Sequence, residues 1–453
     1  MQLIASHYPF APGVSDPAMS SPPQVVAPIR SEVDPARVMR RVFWRLIPFL
    51  FLLYVCAYLD RVNLSFAALS MRRDLGFSGT VYGAGAGLFF ISYALFEIPA
   101  NLVLLRLGPR RWIAIIMIAW GILSSSMALV HSPATFYIAR FLLGAAEAGF
   151  FPGIILCLTS WFPLAQRARA FALFITAAPV SGVIGAPLST LLLRLDGVIH
   201  LAGWKWLFLG EGLPSILLGI AVVFIITDHP EEAKWLSPPE REWLIAEVAA
   251  HSHHAQATHL SHAFQSATVW LLSAVYFAMS VGLYAMSLWL PIVIKSITHA
   301  SDLRVIGLTT IPYALAGLAM LLVARSSDRS GERKWHLVAC LIAAAVGFIA
   351  SAIPASPGLS LAAIFFCTAG VWSGLGPFWS LPTYILRGTA AAAGIAFINS
   401  VGAIGGFTGP YIMGIAVDLT HSFHAALLVT GLLIFLAALI ASRLIAPPRL
   451  TAQ

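Results

Sequence analysis

The feature that most limits the fold of this chain is a series of long apolar segments with few or no charged residues. Residues 112–130, 208–227 and 338–353 are examples, each at or near the ~20 residues that cross ~30 Å of hydrocarbon as a helix. A soluble domain would need a charged surface, yet 59% of the residues are hydrophobic and only 10% are charged. Barrel strands would alternate in polarity, whereas these segments are apolar on every side. The sequence therefore predicts an all-α integral membrane protein.

Hydropathy predicts twelve transmembrane helices in two pseudo-symmetric six-helix bundles. The predicted spans are 43–66, 80–105, 112–130, 134–160, 168–193, 204–227, 269–294, 305–325, 336–354, 359–386, 390–418 and 423–445. We expect a disordered cytoplasmic tail at 1–40, a first bundle at 41–227, a cytoplasmic linker at 228–268, a second bundle at 269–446 and a cytoplasmic tail at 447–453. The first thirty residues contain several prolines and lack the pattern of a signal peptide.

A weak internal repeat supports the division into two halves. Basic, glycine-containing turns follow the second helix of each half, with "RLGPRR" ending at Arg111 and "ARSSDRSGERK" ending at Lys334. A pattern of glycine and proline also recurs, as "SGVIGAP" at 181–187 and "GAIGGFTGP" at 402–410. Parallel repeats of this kind are typical of two-lobed transporters. We expect the glycines at helical spacing, such as Gly83 with Gly87, to serve helix packing.

The positions of the basic residues predict the topology. The loops on the side of both termini and the linker contain about three times as many Arg and Lys residues as the loops on the other side. We therefore expect a multi-pass protein of the cell (inner) membrane with both termini in the cytoplasm. The net charge of +8 is explained by these loops, so no nucleic acid is expected as a partner.

Metal and cofactor sites are not expected. Five histidines occur between His251 and His262, but they lack the spacing of a ligand set and lie in a polar linker. The four cysteines all fall in apolar segments, without disulfide or metal-ligand spacing. We also expect a monomer whose partners are membrane lipid and the transported solute.

Charged residues within the predicted spans are the strongest indication of function. A charge at membrane depth costs at least ~2.5–3.5 kcal/mol on insertion scales, so it normally faces a partner or a cavity. The first half of the chain contains most of them: Asp60, Arg61, Glu97, Arg140, Glu147 and Glu211.

Helical spacing groups these charges. Adjacent residues point ~100° apart, so Asp60 and Arg61 face different neighbours. Arg61 shares its stripe with Tyr54, Tyr58 and Ser65, whereas Arg140 and Glu147 lie two turns apart on one stripe.

Two interpretations of these charges remain open. They can neutralise one another as ion pairs between helices, or Arg61 and Arg140 can together bind a planar carboxylate through paired hydrogen bonds. For the two arginines together we favour the carboxylate site.

A carboxyl group in a low-dielectric cavity binds a proton more readily than one in water. Asp60 or Glu147 could therefore couple transport to a proton gradient. Glu97 lies near the basic turn at 106–111, which favours gating or anchoring of that loop. Glu211 lies near Lys205 and is interpreted as structural.

These segments together resemble the major facilitator superfamily, and within it the anion:cation symporter branch. The resemblance extends from about Arg41 to Ile445. It is seen in "YLDRVNLSFA" from Tyr58, "RFLLGAAEAGFFPG" from Arg140, "WFPLAQRARAFALF" from Trp161, "GWKWLFLGEGLP" from Gly203 and "INSVGAIGGFTGP" from Ile398.

The resemblance implies proton-coupled import of small carboxylates, such as tartrate, phthalate or sugar acids, by alternating access. It implies that Arg61 and Arg140 hold the carboxylate and that Asp60 and Glu147 handle protons. It also implies that Tyr93, Trp379 and Asn399 line the site, although core packing is an equal alternative for the two aromatic residues.

The loop motif of the superfamily is matched after the eighth helix, where Asp328, Arg329, Gly331 and Arg333 fit it. After the second helix, Leu105 stands where many members have aspartate, which puts the usual charge contact of that loop in question.

Other functions are less consistent with the sequence. Sodium coupling or anion exchange stays open as an alternative mechanism. A membrane-embedded enzyme would need a nucleophile with a base, or paired histidines with an acid, and the spans show neither. A sensor would normally have a soluble output domain, whereas the only long polar segment is the ~40-residue linker.

Overall fold

The structure, a computed structural model, describes residues 33–250, 266–385 and 389–444. Most of the predicted N-terminal tail, the linker histidines and the tail at 447–453 lie outside the described residues.

Within the described part, twelve helical segments are long and apolar enough to cross a bilayer, as predicted. The helices are α1 (Pro35–Leu75), α2 (Gly79–Leu107), α3 (Pro109–Ser126), α4 (Pro133–Glu147), α5 (Phe150–Trp161), α6 (Leu164–Ile175), α7 (Ala177–Leu193), α8 (Gly203–Ile225), α9 (Pro238–Ala250), α10 (Ala267–Thr298), α11 (Asp302–Ser330), α12 (Lys334–Ser351), α13 (Pro357–Ile385), α14 (Thr389–Thr420) and α15 (His424–Arg443).

Two predicted spans are each divided into two helices. The fourth span consists of α4 and α5, which meet at Gly149, and the fifth consists of α6 and α7, which meet at Thr176. Pro152 has no backbone N–H to offer the carbonyl of Ala148, so a continuous helix would lose a hydrogen bond at this point. The break follows directly after Glu147.

The first helix begins earlier than predicted, inside the segment expected to be a tail. The Asp34 carboxylate accepts hydrogen bonds from the backbone N–H groups of Ala36 and Arg37, which caps α1 so that it begins at Pro35. Gly76 ends the helix with a φ of 65°.

The helix α9 lies in the predicted linker, and the chain around it packs against the first bundle. Arg41 Nη1 lies 2.9 Å from Glu240 Oε1, and the Trp161 and Trp235 rings stack 5.5 Å apart. The Ser237 backbone N–H, helped by Arg41, holds the pKa of Glu240 below its usual value. This face of the protein is called the linker side below, and the other face the far side.

On the far side, the two bundles approach each other through glycines of α2. A Cβ atom at Gly83 would lie 2.3 Å from the Pro410 carbonyl oxygen, and one at Gly87 would lie 2.8 Å from the Phe407 oxygen. Only glycine allows α2 and α14 to come this close. The expected packing role of Gly83 and Gly87 is therefore confirmed.

Hydrogen bonds also hold the far side closed. The Asp418 carboxylate of α14 accepts the N–H groups of Gly79 and Thr80, both at 2.7 Å, at the N-terminus of α2. The Tyr82 hydroxyl donates to the Leu288 carbonyl oxygen of α10 at 2.7 Å. A carboxylate at a helix N-terminus is favoured both by the free N–H groups and by the helix dipole.

Toward the linker side the two bundles are joined less closely. Asn399 Nδ2 of α14 donates to the Glu97 carboxylate of α2 at 3.1 and 3.3 Å, well short of the ends of both helices. Among the described residues, α5 and α6 make no extensive contact with the second bundle. Contacts between the bundles are thus concentrated in the far half.

We predict that Gly83→Ala disfavours the far-side closure by about 1–3 kcal/mol, because the new methyl group must displace the α14 backbone. Spin labels at the exposed Ala134 and His421 would report the far-side separation of the bundles. The variant should gain a population at longer distance. Gly307→Ala is the matched control, because a Cβ there meets nothing within 4 Å. A Gly83→Ala distance distribution equal to that of the control would contradict the prediction.

Candidate substrate and proton site

An ion pair between two spans forms the centre of the candidate site. Arg61 Nη2 of α1 donates to Glu147 Oε1 at the end of α4. The side chain of Glu147 is 3% exposed and that of Arg61 is 17% exposed. Arg61 Nε is buried without a hydrogen-bond partner. Glu147 thus balances the charge of the Arg61 guanidinium through Nη2, while the Nε–H group is left without an acceptor.

Arg140 joins this centre through an aromatic ring. Its guanidinium carbon lies 4.9 Å from the centre of the Phe89 ring, and that of Arg61 lies 5.5 Å from the same ring. Arg140 is only 1% exposed and donates to the carbonyl oxygens of Gly85 and Ala86 at 3.4 and 3.3 Å. The structure therefore brings both arginines to one ring but leaves only Arg61 partly accessible.

Aromatic side chains surround Arg61. The Tyr93 ring centre lies 5.7 Å from the Arg61 guanidinium carbon, so this predicted lining residue does lie at the site. Tyr284 of α10 lies beside Arg61 and packs its ring 4.1 Å from that of Phe90. The second bundle therefore reaches the ion pair through a tyrosine.

Asp60 faces away from Arg61, as the helical spacing predicts. Its carboxylate accepts hydrogen bonds from Trp120 Nε1, Ser124 Oγ and Ser215 Oγ, each at 2.7 Å, and from Asn63 Nδ2 at 3.4 Å. The residue is 1% exposed and lies between α1, α3 and α8. Asp60 and Glu147 therefore occupy two separate places rather than one shared site.

Trp379 and Asn399 lie apart from the ion pair. The Trp379 ring packs against Tyr276 at 4.8 Å and against Phe378 at 5.4 Å. Asn399 is hydrogen bonded to Glu97, which places that acid at the boundary between the bundles rather than at the loop. Neither residue contacts Arg61 or Arg140 through a hydrogen bond in the described part of the chain.

Sequence reasoning missed a second aromatic contact between the bundles. The Trp372 ring of α13 lies 5.9 Å from Tyr58 of α1 and 6.3 Å from Tyr313 of α11. Trp372 Nε1 and Ser287 Oγ are buried without hydrogen-bond partners. The only sequence signal for this contact is that Tyr58 shares the helix face of Arg61. Trp372 itself lies two turns before Trp379, the tryptophan that was expected to line the site.

The loop motif after the eighth span forms a compact turn. Gly331 has a φ of 64° and ends α11, and Arg333 Nη1 lies 2.6 Å from Asp328 Oδ1. Arg329 is exposed. The corresponding turn of the first half has Leu105 in place of the expected aspartate. It is anchored instead by Asp228, whose Oδ1 accepts the Arg110 backbone N–H at 2.7 Å. Both turns are therefore anchored by a carboxylate, but from different positions in the chain.

Comparison with known proteins identifies the family. The family model of the Major Facilitator Superfamily matches residues 50–410. A protein of Agrobacterium vitis, provisionally named a tartrate transporter, is 48% identical over 407 residues, which cover 89% of this chain and 90% of that protein. A quinolone resistance transporter of Acinetobacter baumannii is 40% identical over 393 residues, with 86% and 91% covered.

The fold agrees with a solved structure. A bacterial homologue of the human lysosomal transporter Spinster, in an inward-facing and unoccupied conformation, matches with a TM-score of 0.73. The match covers 90% of this chain and 97% of that one at 18% identity, so it concerns the fold alone. With twelve spans and these relatives, the chain belongs to the Major Facilitator Superfamily and is a multi-pass membrane transporter, not an enzyme.

Proposed function

We propose that this protein imports a small organic carboxylate by proton symport with alternating access. The observation that supports this best is the ion pair between Arg61 and Glu147 at the boundary of the two bundles. An arginine can bind a carboxylate through two parallel hydrogen bonds, and here one carboxylate of the protein already occupies it. A substrate carboxylate would compete with Glu147 for the same guanidinium.

This competition gives a mechanism for coupling. When Glu147 binds a proton it loses its charge and releases Arg61, which can then hold the anion. Proton and anion thus enter together, and the net charge of the site stays unchanged. Without them, Glu147 returns to Arg61, so the empty carrier also has a neutral centre that can pass between conformations.

Unused donors around Arg61 and between the bundles suit a substrate with several oxygen atoms. Arg61 Nε, Trp372 Nε1 and Ser287 Oγ are buried donors without partners, which a ligand could satisfy. We propose a tartrate-, phthalate- or sugar-acid-like carboxylate, in agreement with the name of the Agrobacterium vitis relative. Arg140 adds a second positive charge behind Phe89, and Tyr93, Trp379 and Asn399 line the path. Both halves of the path belong to one chain, so the transport unit is a monomer.

The uneven contacts between the bundles support alternating access. The far side is closed by Asp418 and the α2 glycines, whereas toward the linker side, in the described part of the chain, the bundles are joined by the hydrogen-bonded contact of Glu97 with Asn399. We propose that the far side opens to receive substrate and that the basic turns at 106–111 and 328–333 approach each other when it does. The residues Asp328, Arg329, Gly331 and Arg333 then act in the gate.

Uptake by the purified protein in liposomes would test the function. Labelled tartrate and a panel of mono- and dicarboxylates should accumulate when the outside is made acidic, and a protonophore should abolish the accumulation. Accumulation driven by a sodium gradient alone would overturn proton symport. Absence of uptake for every carboxylate in the panel would overturn the substrate class.

The two arginines should be separable. We predict that Arg61→Lys weakens carboxylate binding at least about tenfold, because an ammonium group cannot form the paired hydrogen bonds, each worth ~1.5–3 kcal/mol. Arg140→Lys should strongly impair transport with a smaller loss of affinity, since Arg140 donates to backbone carbonyls of α2. Affinity can be measured by competition in counterflow. Near-normal affinity in the Arg61→Lys variant would count against direct contact with the substrate.

Glu147 should be required for coupling rather than for binding. We predict that Glu147→Gln abolishes proton-driven accumulation but retains anion exchange across the membrane, because glutamine keeps the shape and cannot release a proton. Glu240→Gln, an acid outside the membrane spans, is the control and should accumulate substrate normally. Gradient-driven accumulation by the Glu147→Gln variant would shift the coupling role to Asp60.

We propose that the protein lies in the inner membrane with both termini and the linker in the cytoplasm. The reason is the excess of basic residues in the loops of the linker side. In intact cells, an impermeant maleimide should label His421→Cys on the far side but should reach Lys234→Cys only after permeabilisation. The native cysteines are all buried, so they leave little background. Labelling of Lys234→Cys in intact cells would show that the topology is the opposite of the one proposed.

A further inference from the structure

A second pair of buried acids lies apart from Arg61 and Glu147. Glu211 of α8 is 3% exposed and accepts one hydrogen bond, from Ser189 Oγ of α7 at 3.1 Å. Asn63 lies between Glu211 and Asp60, since its amide donates to Asp60 Oδ1 at 3.4 Å and is also in contact with Glu211. Two carboxyl groups therefore share one polar cluster inside the first bundle.

No cation faces this cluster from the described residues of the helices around it. The titratable groups that act on Glu211 are Asp60 and Cys56, both on α1, while α3 and α7 contribute only neutral side chains. Lys205, which the sequence placed near Glu211, instead lies with its Nζ 5.4 Å from the centre of the Trp204 ring.

The two acids differ in how well their oxygens are satisfied. The Asp60 oxygens accept from four donors, whereas Glu211 Oε2 is buried and has no partner. An ionised Glu211 would leave a charged oxygen unsatisfied in a dry interior, which is costly. A protonated Glu211 carries its hydrogen on that oxygen and becomes a donor toward the cluster. The geometry thus suits Glu211 as the holder of the proton and Asp60 as its acceptor.

The position of Glu211 gives this pair a direction. The helix α8 begins on the far side at Gly203, so Glu211 lies one turn nearer to the far side than Ser215. The Ser215 hydroxyl donates to Asp60 Oδ2 at 2.7 Å. Ser215 is therefore the hydroxyl that lies one turn beyond Glu211 along α8 and is bonded to Asp60, while Glu211 Oε2 itself is not hydrogen bonded to it.

We propose that Glu211 is a proton-carrying residue of the transport cycle, the outermost acid of a route that supplies Asp60. The proposal rests on the proton symport proposed above. Glu211 takes a proton from the far-side medium, and its side chain then rotates toward Ser215, one turn further along α8. Its Oε2–H bond breaks as the Ser215 hydroxyl accepts that proton and passes its own to Asp60 Oδ2. Ser215 ends unchanged, Asp60 is neutral until it releases the proton when the linker side opens, and Glu211 is ionised until it is protonated again from the far side.

Glu211→Gln tests the proposal in liposomes. Glutamine is close in shape to the protonated acid but cannot release a proton, so proton-driven accumulation should fall at least about tenfold while anion exchange without a gradient is kept. Glu211→Asp should restore part of the accumulation, because it keeps the titratable group. Glu240→Gln, the acid outside the membrane spans that is paired with Arg41, is again the control and should keep coupling.

A purely structural role predicts a different pattern. Glu211→Gln would then lower thermal stability and reduce exchange and accumulation in the same proportion, and Glu211→Asp would restore neither selectively. Infrared spectroscopy of the purified protein gives a readout that does not need transport: a protonated-carboxyl band of the wild type should be lost in Glu211→Gln. Normal accumulation, proportional losses or an unchanged band would each overturn the proposal.

The two proposals fail in different ways. If proton symport is wrong, the wild type itself will show no proton-driven uptake, and the role of Glu211 falls with it. If only the role of Glu211 is wrong, the wild type and Glu147→Gln will behave as expected while Glu211→Gln accumulates like the wild type.

Discussion

A charge inside a bilayer must be paired or hydrogen bonded, and this constraint organises the first six spans. Arg61 satisfies it with Glu147, Arg140 with two backbone carbonyl oxygens and the Phe89 ring, and Asp60 with four neutral donors. The three charges thus have different kinds of partner, and of the three only Arg61 is paired with an ionised group of opposite sign. In the proposed mechanism a substrate anion and a proton each replace a protein group at that pair without leaving a charge unmatched.

The two bundles divide the structural roles. The first holds the intramembrane charges, whereas the second contributes aromatic and neutral polar side chains such as Tyr284, Trp372 and Ser287. Between α2 and α14 the contact depends on backbone, since Gly83 and Gly87 bring the two helices together. An interface of this kind buries few ionised groups, which is consistent with its opening and closing during a transport cycle.

Polar contacts on both sides of the protein use the N-terminal ends of helices. On the far side the Asp418 carboxylate accepts two N–H groups at the N-terminus of α2, and on the linker side the Asp228 carboxylate accepts the N–H of Arg110 in the first turn of α3. Both acids lie far from their partners in sequence. The second case also explains how the first basic turn is anchored although Leu105 replaces the expected aspartate: an acid just after the sixth span accepts the Arg110 N–H.

Some features followed from the sequence alone because they depend on local properties. Hydropathy determines the twelve spans, since each must cover the hydrocarbon thickness by itself, and helical periodicity determines that Asp60 and Arg61 face different neighbours. The sequence also indicated that Arg61, Arg140, Glu147 and Tyr93 would lie near one another. Only the tertiary structure decided which partners they have. Arg61 is neutralised by Glu147, and Asn399 binds Glu97. The tryptophan that contacts Tyr58 is Trp372. Glu211 lies in one polar cluster with Asp60. The physical reason is that a span constrains only the direction in which a side chain points, whereas the group that it meets is set by how neighbouring helices cross and by where α4 and α5 break.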